Sequence, residues 1–395
     1  MKYRLLSTAC DYRKDRISAD EINEFNYIST ENMLPDRGGI EIASSVAEGK
    51  TFPAYKEGDI LLSNIRPYFK KIWFADKKGG CSNDVLVLKA NKSVDKKFLY
   101  YVLSDNNFFN YSTVTSKGTK MPRGSKNAIM KYLVPDIDFP TQKRIADILS
   151  AYDNLIENNN RRIALLEKAA QELYKEWFVH FRFPGYENAK FENGLPEGWK
   201  LKKIGDIFDV TSSKRVFLSD YVEEGVPFYR SKEIIQLSQG KTLTEPLYIS
   251  NEAYTYFNEK FGSPQKNDIL ITSVGTIGVS YLVDGHKFYF KDGNLTWIKS
   301  GTNPVLAFFI FRWLNSPQGK QQLLQSTIGT SQSALTIENL KNIKILVPCE
   351  MIIQKYYDLA YVMAEEKKIL EWKNKNFAKQ RDLLLPRLMS GKLEV

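Results

Sequence analysis

The chain has 395 residues, 43% of them hydrophobic and 26% charged, enough to bury the cores of two or three domains and too apolar for a disordered polymer. Lys and Arg outnumber Asp and Glu by 56 to 46, a formal charge of +10 that suits a polyanionic partner. Two histidines and three scattered cysteines give no zinc-site spacing and no disulfide framework. With no apolar run of about 18 residues and no signal-peptide core at the start, the expectation is a soluble, cytoplasmic protein without a membrane attachment.

In chain order, residues 1–138 read as a mixed globular region and 139–183 as a long helix. Residues 184–347 read as a second globular region and 348–395 as a second long helix. Short apolar or alternating runs such as Asp84–Leu88 and Asp268–Thr272, punctuated by Gly, Asn and Pro, predict strands. Shorter helices are expected over Lys97–Phe109 and Pro304–Leu324. The first long helix opens after Pro140, and its apolar positions alternate at spacings of four and three: Ile145, Leu149, Tyr152, Ile156, Asn159, Ile163, Leu166, Ala170, Leu173 and Trp177. That is a sustained seam stripe, and Thr141–Phe178 would span roughly 57 Å. Asn159, its one polar member, either fixes register in the seam or sits at a partly exposed edge. The second helix repeats the stripe less cleanly through Ile352, Tyr356, Leu359, Met363, Leu370, Phe377 and Leu384, interrupted by Glu366, Lys373 and Gln380. The two helices could pair antiparallel.

The halves echo each other at an offset of about 210 residues. Residues 58–76 parallel 267–285, with Asp59 on Asp268; 116–121 parallel 328–333, with Gly118 on Gly329; and 132–148 parallel 345–361, with Pro135 on Pro348. The same order in both halves marks an internal repeat.

Loop Thr113–Asn127 carries Lys117, Lys120, Arg123 and Lys126 among glycines and hydroxyls, within the acid-free stretch 106–135. Such a loop can hold phosphates, with Arg123 able to reach a guanine edge; a merely solvated loop is the plainer reading. Its counterpart, Thr327–Ala334, has Thr330, Ser331 and Gln332 and no cation. Arg66, Tyr68 and Lys70 interleave charge with an aromatic ring, as nucleic-acid surfaces do. The matching Gly-rich turn contains Thr276, a weak phosphate signal beside an ordinary strand turn, and Arg230 with Lys232 follows a strand-like run. No P-loop and no amino-methyltransferase tetrapeptide occurs. An acidic pattern of Asp136 with Glu365, Glu366 and Lys367 is too scattered to be a nuclease site, and His180 reads as structural. The chain is expected to bind rather than react, with no metal and no cofactor of its own.

Several stretches resemble the specificity (S) subunits of type I restriction–modification systems. They are Phe139–Leu149, Asp153–Asn158, Leu173–Phe178 and Phe181–Gly185, the opening Leu195–Trp199 with Leu201–Asp206, and the tail Arg381–Gly391. The resemblance implies an α+β chain: two mixed α/β target-recognition domains in a tandem pseudo-repeat, separated by two long helices in an antiparallel coiled coil. Each domain would read one half of a split site in double-stranded DNA, and the helices would set the gap. Two modification subunits using S-adenosylmethionine and two ATP- and Mg-dependent restriction subunits would dock on this scaffold. The rival reading is a coiled-coil scaffold tethering two protein-binding modules.

Overall fold

The computed structural model describes residues 2–241, 243, 245–329, 333–393 and 395. It divides into one unit of residues 1–159 and 373–395 and another of residues 160–372, so each unit takes part of both long helices.

In the first unit, strands Cys10–Tyr12, Val85–Ala90, Ile60–Ser63 and Ile72–Phe74 form an antiparallel sheet in that spatial order. Its apolar runs do not alternate because both faces are covered. Leu86 and Leu88 join the core under the helices, while Val85 and Val87 join a cluster with Tyr55 and Trp73 on the other face. A second sheet runs Arg16–Ser18, Thr51–Tyr55, Gly79–Cys81, Tyr27–Ile28, its last pair parallel. The helix expected over Lys97–Phe109 is two helices, Lys96–Ser104 and Asn106–Val114, because Asp105 ends the first in extended backbone and caps the second through the Asn107 N–H at 2.7 Å.

The second unit repeats the plan. Its sheet runs Asp209–Thr211, Leu295–Lys299, Ile269–Thr272, Ser280–Leu282. Helix Pro304–Leu314 is followed by Pro317–Gln325, broken where Ser316 caps the Gly319 N–H at 3.1 Å. Another sheet runs Tyr221–Val222, Leu247–Ile249, Val226–Tyr229, Tyr289–Phe290, again with a parallel last pair.

The long helices are Phe139–Phe178 and Glu350–Met389. Within each unit their segments pair antiparallel. Tyr152 meets Phe377, Asp153 meets Arg381 and Asn159 meets Asn374 in the first unit; Arg162 meets Glu366, Glu167 meets Lys367 and Tyr174 meets Tyr356 in the second. Every predicted stripe position of the first helix is buried or half-buried. Asn159 is 6% exposed and donates to the Asn374 side chain at 2.8 Å.

The second helix's phase differs from expectation. Tyr356, Met363, Leu370 and Phe377 face inward, but Leu359 is 49% exposed. The alternate row is one residue later: Ile353, Ala360, Lys367, Asn374, Arg381 and Leu388. Ala360 permits close approach, and Lys367, Asn374 and Arg381 each answer a polar residue of the first helix, so the apparent interruptions are places where the polar pairs sit one position along.

The repeat holds at the level of backbone bonds, with one correction. The Leu6 N–H bonds to the Tyr132 carbonyl as the Ile204 N–H bonds to that of Ile343, and Arg4 pairs Val134 as Lys202 pairs Ile345. Pro135 therefore corresponds to Leu346, not Pro348; the shared Leu-Val-Pro text lies two residues out of structural register.

Candidate nucleic-acid interface

In the first unit two predicted segments meet at one end of the four-stranded sheet. Lys117 and Arg123 exchange backbone hydrogen bonds of 2.9 and 2.8 Å, closing a hairpin whose Gly118 takes φ +96°. The hairpin lies on Asn64–Arg66: the Gly124 N–H donates to the Asn64 carbonyl at 2.9 Å and the Arg66 N–H to the Pro122 carbonyl at 2.8 Å. Lys117, Lys120 and Lys126 are exposed. Arg123 is exposed and 3.2 Å from Asp84, an ion pair that solvent and salt weaken. Lys126 begins a short helix capped by Ser125, its ammonium 6.0 Å from the Tyr12 ring. Arg66 and Lys70 take left-handed backbone, φ +50° and +52°, around turn Pro67–Phe69, which presents Tyr68 against Phe69. Lys71 donates to the Thr30 carbonyl at 2.6 Å, and burial brings its pKa down. The side-chain Nε of Arg66 and Oδ1 of Asn64 are buried without a partner.

The second unit builds the same end from different side chains. The Leu335 N–H donates to the Ser273 carbonyl and the Ser273 N–H to that of Asn294, both at 2.9 Å, as Gly124 does to Asn64 and Asn64 to Asp84. Ile328 and Ala334 pair as Lys117 and Arg123 do, and Val274 stands where Ile65 does. Ser231 donates to the Asn294 carbonyl at 3.2 Å, which brings the Arg230–Lys232 segment to this edge. Lys232 and Thr276 are exposed, and the Thr276 carbonyl accepts from the Thr272 hydroxyl. Arg230 is committed: its guanidinium grips Glu233 at 2.7 and 3.1 Å. Burial pushes the Glu233 carboxyl up, but the guanidinium and N–H of Arg230 outweigh it and hold that pKa below the usual range. Arg230 thus fixes the start of helix Ser231–Ser238. Thr330, Ser331 and Gln332 lie outside the described residues.

Sequence reasoning missed Asp84, Asn64, Ser231 and Asn294. The repeat register was the signal for Asp84 and Asn294, which occupy equivalent places. Among the described residues, no group of three or more His, Cys, Asp or Glu is gathered for a metal ion, and no helix is long and apolar enough to cross a membrane.

One known family, described as the type I restriction modification DNA specificity domain, matches residues 11–168 and again 196–356. The chain is similar to the MjaIX type I restriction enzyme specificity subunit of Methanocaldococcus jannaschii, 26% identical over 386 residues that cover 94% of this chain and 84% of that one. It is 28% identical over 402 residues to the MjaVIII specificity subunit of the same organism, covering 97% and 90%. The crystal structure of a type I restriction–modification S subunit from M. genitalium shares the fold, with a TM-score of 0.62 at 17% identity over 98% and 96% of the two chains.

Proposed function

The chain belongs to the family of type I restriction–modification DNA specificity subunits and is the DNA-recognition subunit of such a complex; on that premise we propose that its two globular domains, 1–138 and 184–347, read unlike halves of a split DNA site. One observation supports this most directly. Both domains repeat the same backbone bonds at one end of the sheet, yet one edge carries Arg123 with Asp84 and the other Ala334 with Asn294. A shared frame with unlike edges suits one job on two targets.

In this reading Arg66, Tyr68, Lys70, Lys117, Lys120, Arg123 and Lys126 face the first half-site. Lys232 and Thr276 face the second, to which the sequence pattern also assigns Thr330, Ser331 and Gln332, and Arg230 supports this edge through Glu233. Segments 139–183 and 348–395 hold the spacer seam and the docking surface for two modification subunits, which bring S-adenosylmethionine, while two restriction subunits bring ATP and Mg chemistry. The chain itself binds and performs no bond-making step.

The test is single-molecule sequencing of modified adenines in host DNA, with the gene intact and deleted and the modification partner expressed. The expected result is a split motif methylated only when the gene is present. An unchanged methylome would overturn the reading and favour a protein-tethering scaffold.

A further inference from the structure

Seven non-glycine residues among those described have left-handed backbone, and four of them, Asp36, Arg37, Arg66 and Lys70, meet at one place in the first domain. Strain gathered this way persists only where the surroundings over-determine it. Here the Asp36 N–H donates to the Phe69 carbonyl at 2.8 Å and the Arg37 N–H to that of Lys70 at 2.9 Å. Loop Pro35–Gly39 is thereby clamped to the turn that carries half-buried Arg66 and Lys70 and exposed Tyr68. The clamp has a handle. The Arg37 side chain, 13% exposed, places Nη1 3.6 Å from Asp382 on the second long helix and donates from Nη2 to Asn106 at 2.9 Å. Asp382 also takes Arg381 at 2.8 Å, Arg381 reaches Asp153 on the first long helix at 2.5 Å, and Asp153 accepts from the Tyr101 hydroxyl. Asn106 starts the helix that packs beneath turn Pro67–Phe69.

We propose that Arg37 is a positioning residue for sequence selection: it holds the Arg66–Lys70 turn to the long-helix segments of its own unit, and so fixes the aim of the first domain's reading edge. This rests on the DNA-reading assignment above. In this proposal Arg37 contacts no base itself; its N–H, beside that of Asp36, holds the turn on one side, and its side chain holds one carboxylate and one amide on the other. A lysine cannot keep both side-chain partners, because one ammonium replaces a planar fork.

The test is the adenine methylome of cells carrying the full chain with its partners, comparing wild type, Arg37→Ala, Arg37→Lys, Asp382→Ala, and Arg37→Asp combined with Asp382→Arg. Aspartate tolerates the left-handed backbone at position 37. For Arg37→Ala and Asp382→Ala, discrimination at a base of one half-site should fall roughly tenfold, the low end of what one base pair carries, while the other half-site keeps its selectivity. Arg37→Lys should fall between, and the charge-reversed pair should regain most of the loss. An unchanged motif, equal loss in both halves, or a reversed pair no better than Arg37→Ala would each overturn the proposal. A wild-type chain that directs no split motif would instead defeat the DNA-reading assignment.

Discussion

The two domains share one sheet bond for bond and differ in the other. In both four-stranded antiparallel sheets a buried aspartate closes the same corner. Asp59 accepts from the Lys56 N–H and Asp268 from the Gln265 N–H, each at 2.8 Å, and the Asp59 and Asp268 carbonyls receive Ala75 and Val283. In the second sheets the strand after the hairpin changes place. Gly79–Cys81 lies between Tyr27–Ile28 and Thr51–Tyr55, whereas Tyr289–Phe290 lies at the edge beyond Val226–Tyr229. The glycines account for this: a Cβ on Gly79 would sit 2.2 Å from the Asn26 carbonyl oxygen and 2.5 Å from the Tyr55 hydroxyl. Tyr289 instead has a ring that stacks on Phe257. A frame fixed by backbone bonds and one carboxylate leaves the surrounding sheet and loops free to diverge, as the proposed reading of unlike half-sites requires.

That shared corner offers the largest way to break the equivalence. Asp59 holds the Arg13 guanidinium through both oxygens, at 2.5 and 2.9 Å, and the two side chains are 4% and 8% exposed. Asp268 holds neutral donors: the Trp297 indole N–H at 2.9 Å and the Gly301 and Gln265 N–H groups at 2.8 Å. Asp59→Asn takes away the buried carboxylate and leaves Arg13 only the exposed Asp15, 2.7 Å away, so it should cost the first unit about 2–3 kcal/mol. Asp268→Asn loses one bond from a neutral donor and should cost about 1–2 kcal/mol. Hydrogen exchange read separately over residues 60–90 and 269–299 checks both. Equal losses would mean that the partner's charge is irrelevant.

The reading edge comes next. Arg123→Ala should reduce discrimination at one base pair of the first half-site by about 1–3 kcal/mol, measured as binding of the assembled complex to single-base variants of its site. The second domain already has Ala334 at the equivalent place, so its half-site should be untouched. A uniform loss on all sequences with a shallower salt dependence would reassign Arg123 to a phosphate.

Much of this was legible in the sequence where the cause is local or periodic. The four–three stripe from Ile145 to Trp177 reports burial directly, and glycines and lysines mark the hairpin at 117–123. What escaped is set by partners distant in the chain. Leu359 and Ala360 are both apolar, and only the facing helix decides which goes inside. Asp84 is 39 residues from Arg123, and Arg37 meets Asp382 across nearly the whole sequence. The two-residue error at Pro135 arose because text identity, Leu-Val-Pro, outweighed the strand register that the Tyr132 and Ile343 carbonyls impose.

A smaller test concerns how each reading segment is tied to its long helix. The first domain uses charge, through Arg37 and Asp382; the second uses close approach. Gly240, at φ +69° after helix Ser231–Ser238, leaves a gap in which a Cβ would lie 2.9 Å from the Glu371 carboxylate. Gly240→Ala should therefore cost the second unit about 1 kcal/mol, mostly backbone strain, because Glu371 is flexible and can swing away. Pairing it with Glu371→Ala should recover little in a urea titration. Full recovery would show that the clash, not the backbone, carries the cost.

The smallest expected effect separates the domains by acid sensitivity. Val283 occupies the place of Ala75, so Asp284 stands where Asp76 does, but only Asp284 is followed by a histidine two residues on. His286 bonds Asp284 through Nδ1 and faces the Tyr229 hydroxyl at 3.0 Å through Nε2. The hydrogen bond from His286, opposed by partial burial, holds the Asp284 carboxyl down at about 2 from its ordinary 3.8. A carboxyl depressed in the folded state stabilises the fold above its unfolded pKa, and that contribution fades as pH falls from about 4 toward 2. Asp284 is about half exposed, so solvent screening keeps the effect below about 1 kcal/mol. Chemical denaturation followed by domain-resolved exchange between pH 5 and 2.5 should show the second unit losing slightly more stability than the first. His286→Asn should shrink that excess, because it removes the hydrogen bond that holds the Asp284 carboxyl down; an excess left unchanged would place its source in another carboxylate of the second unit, Glu233 among them.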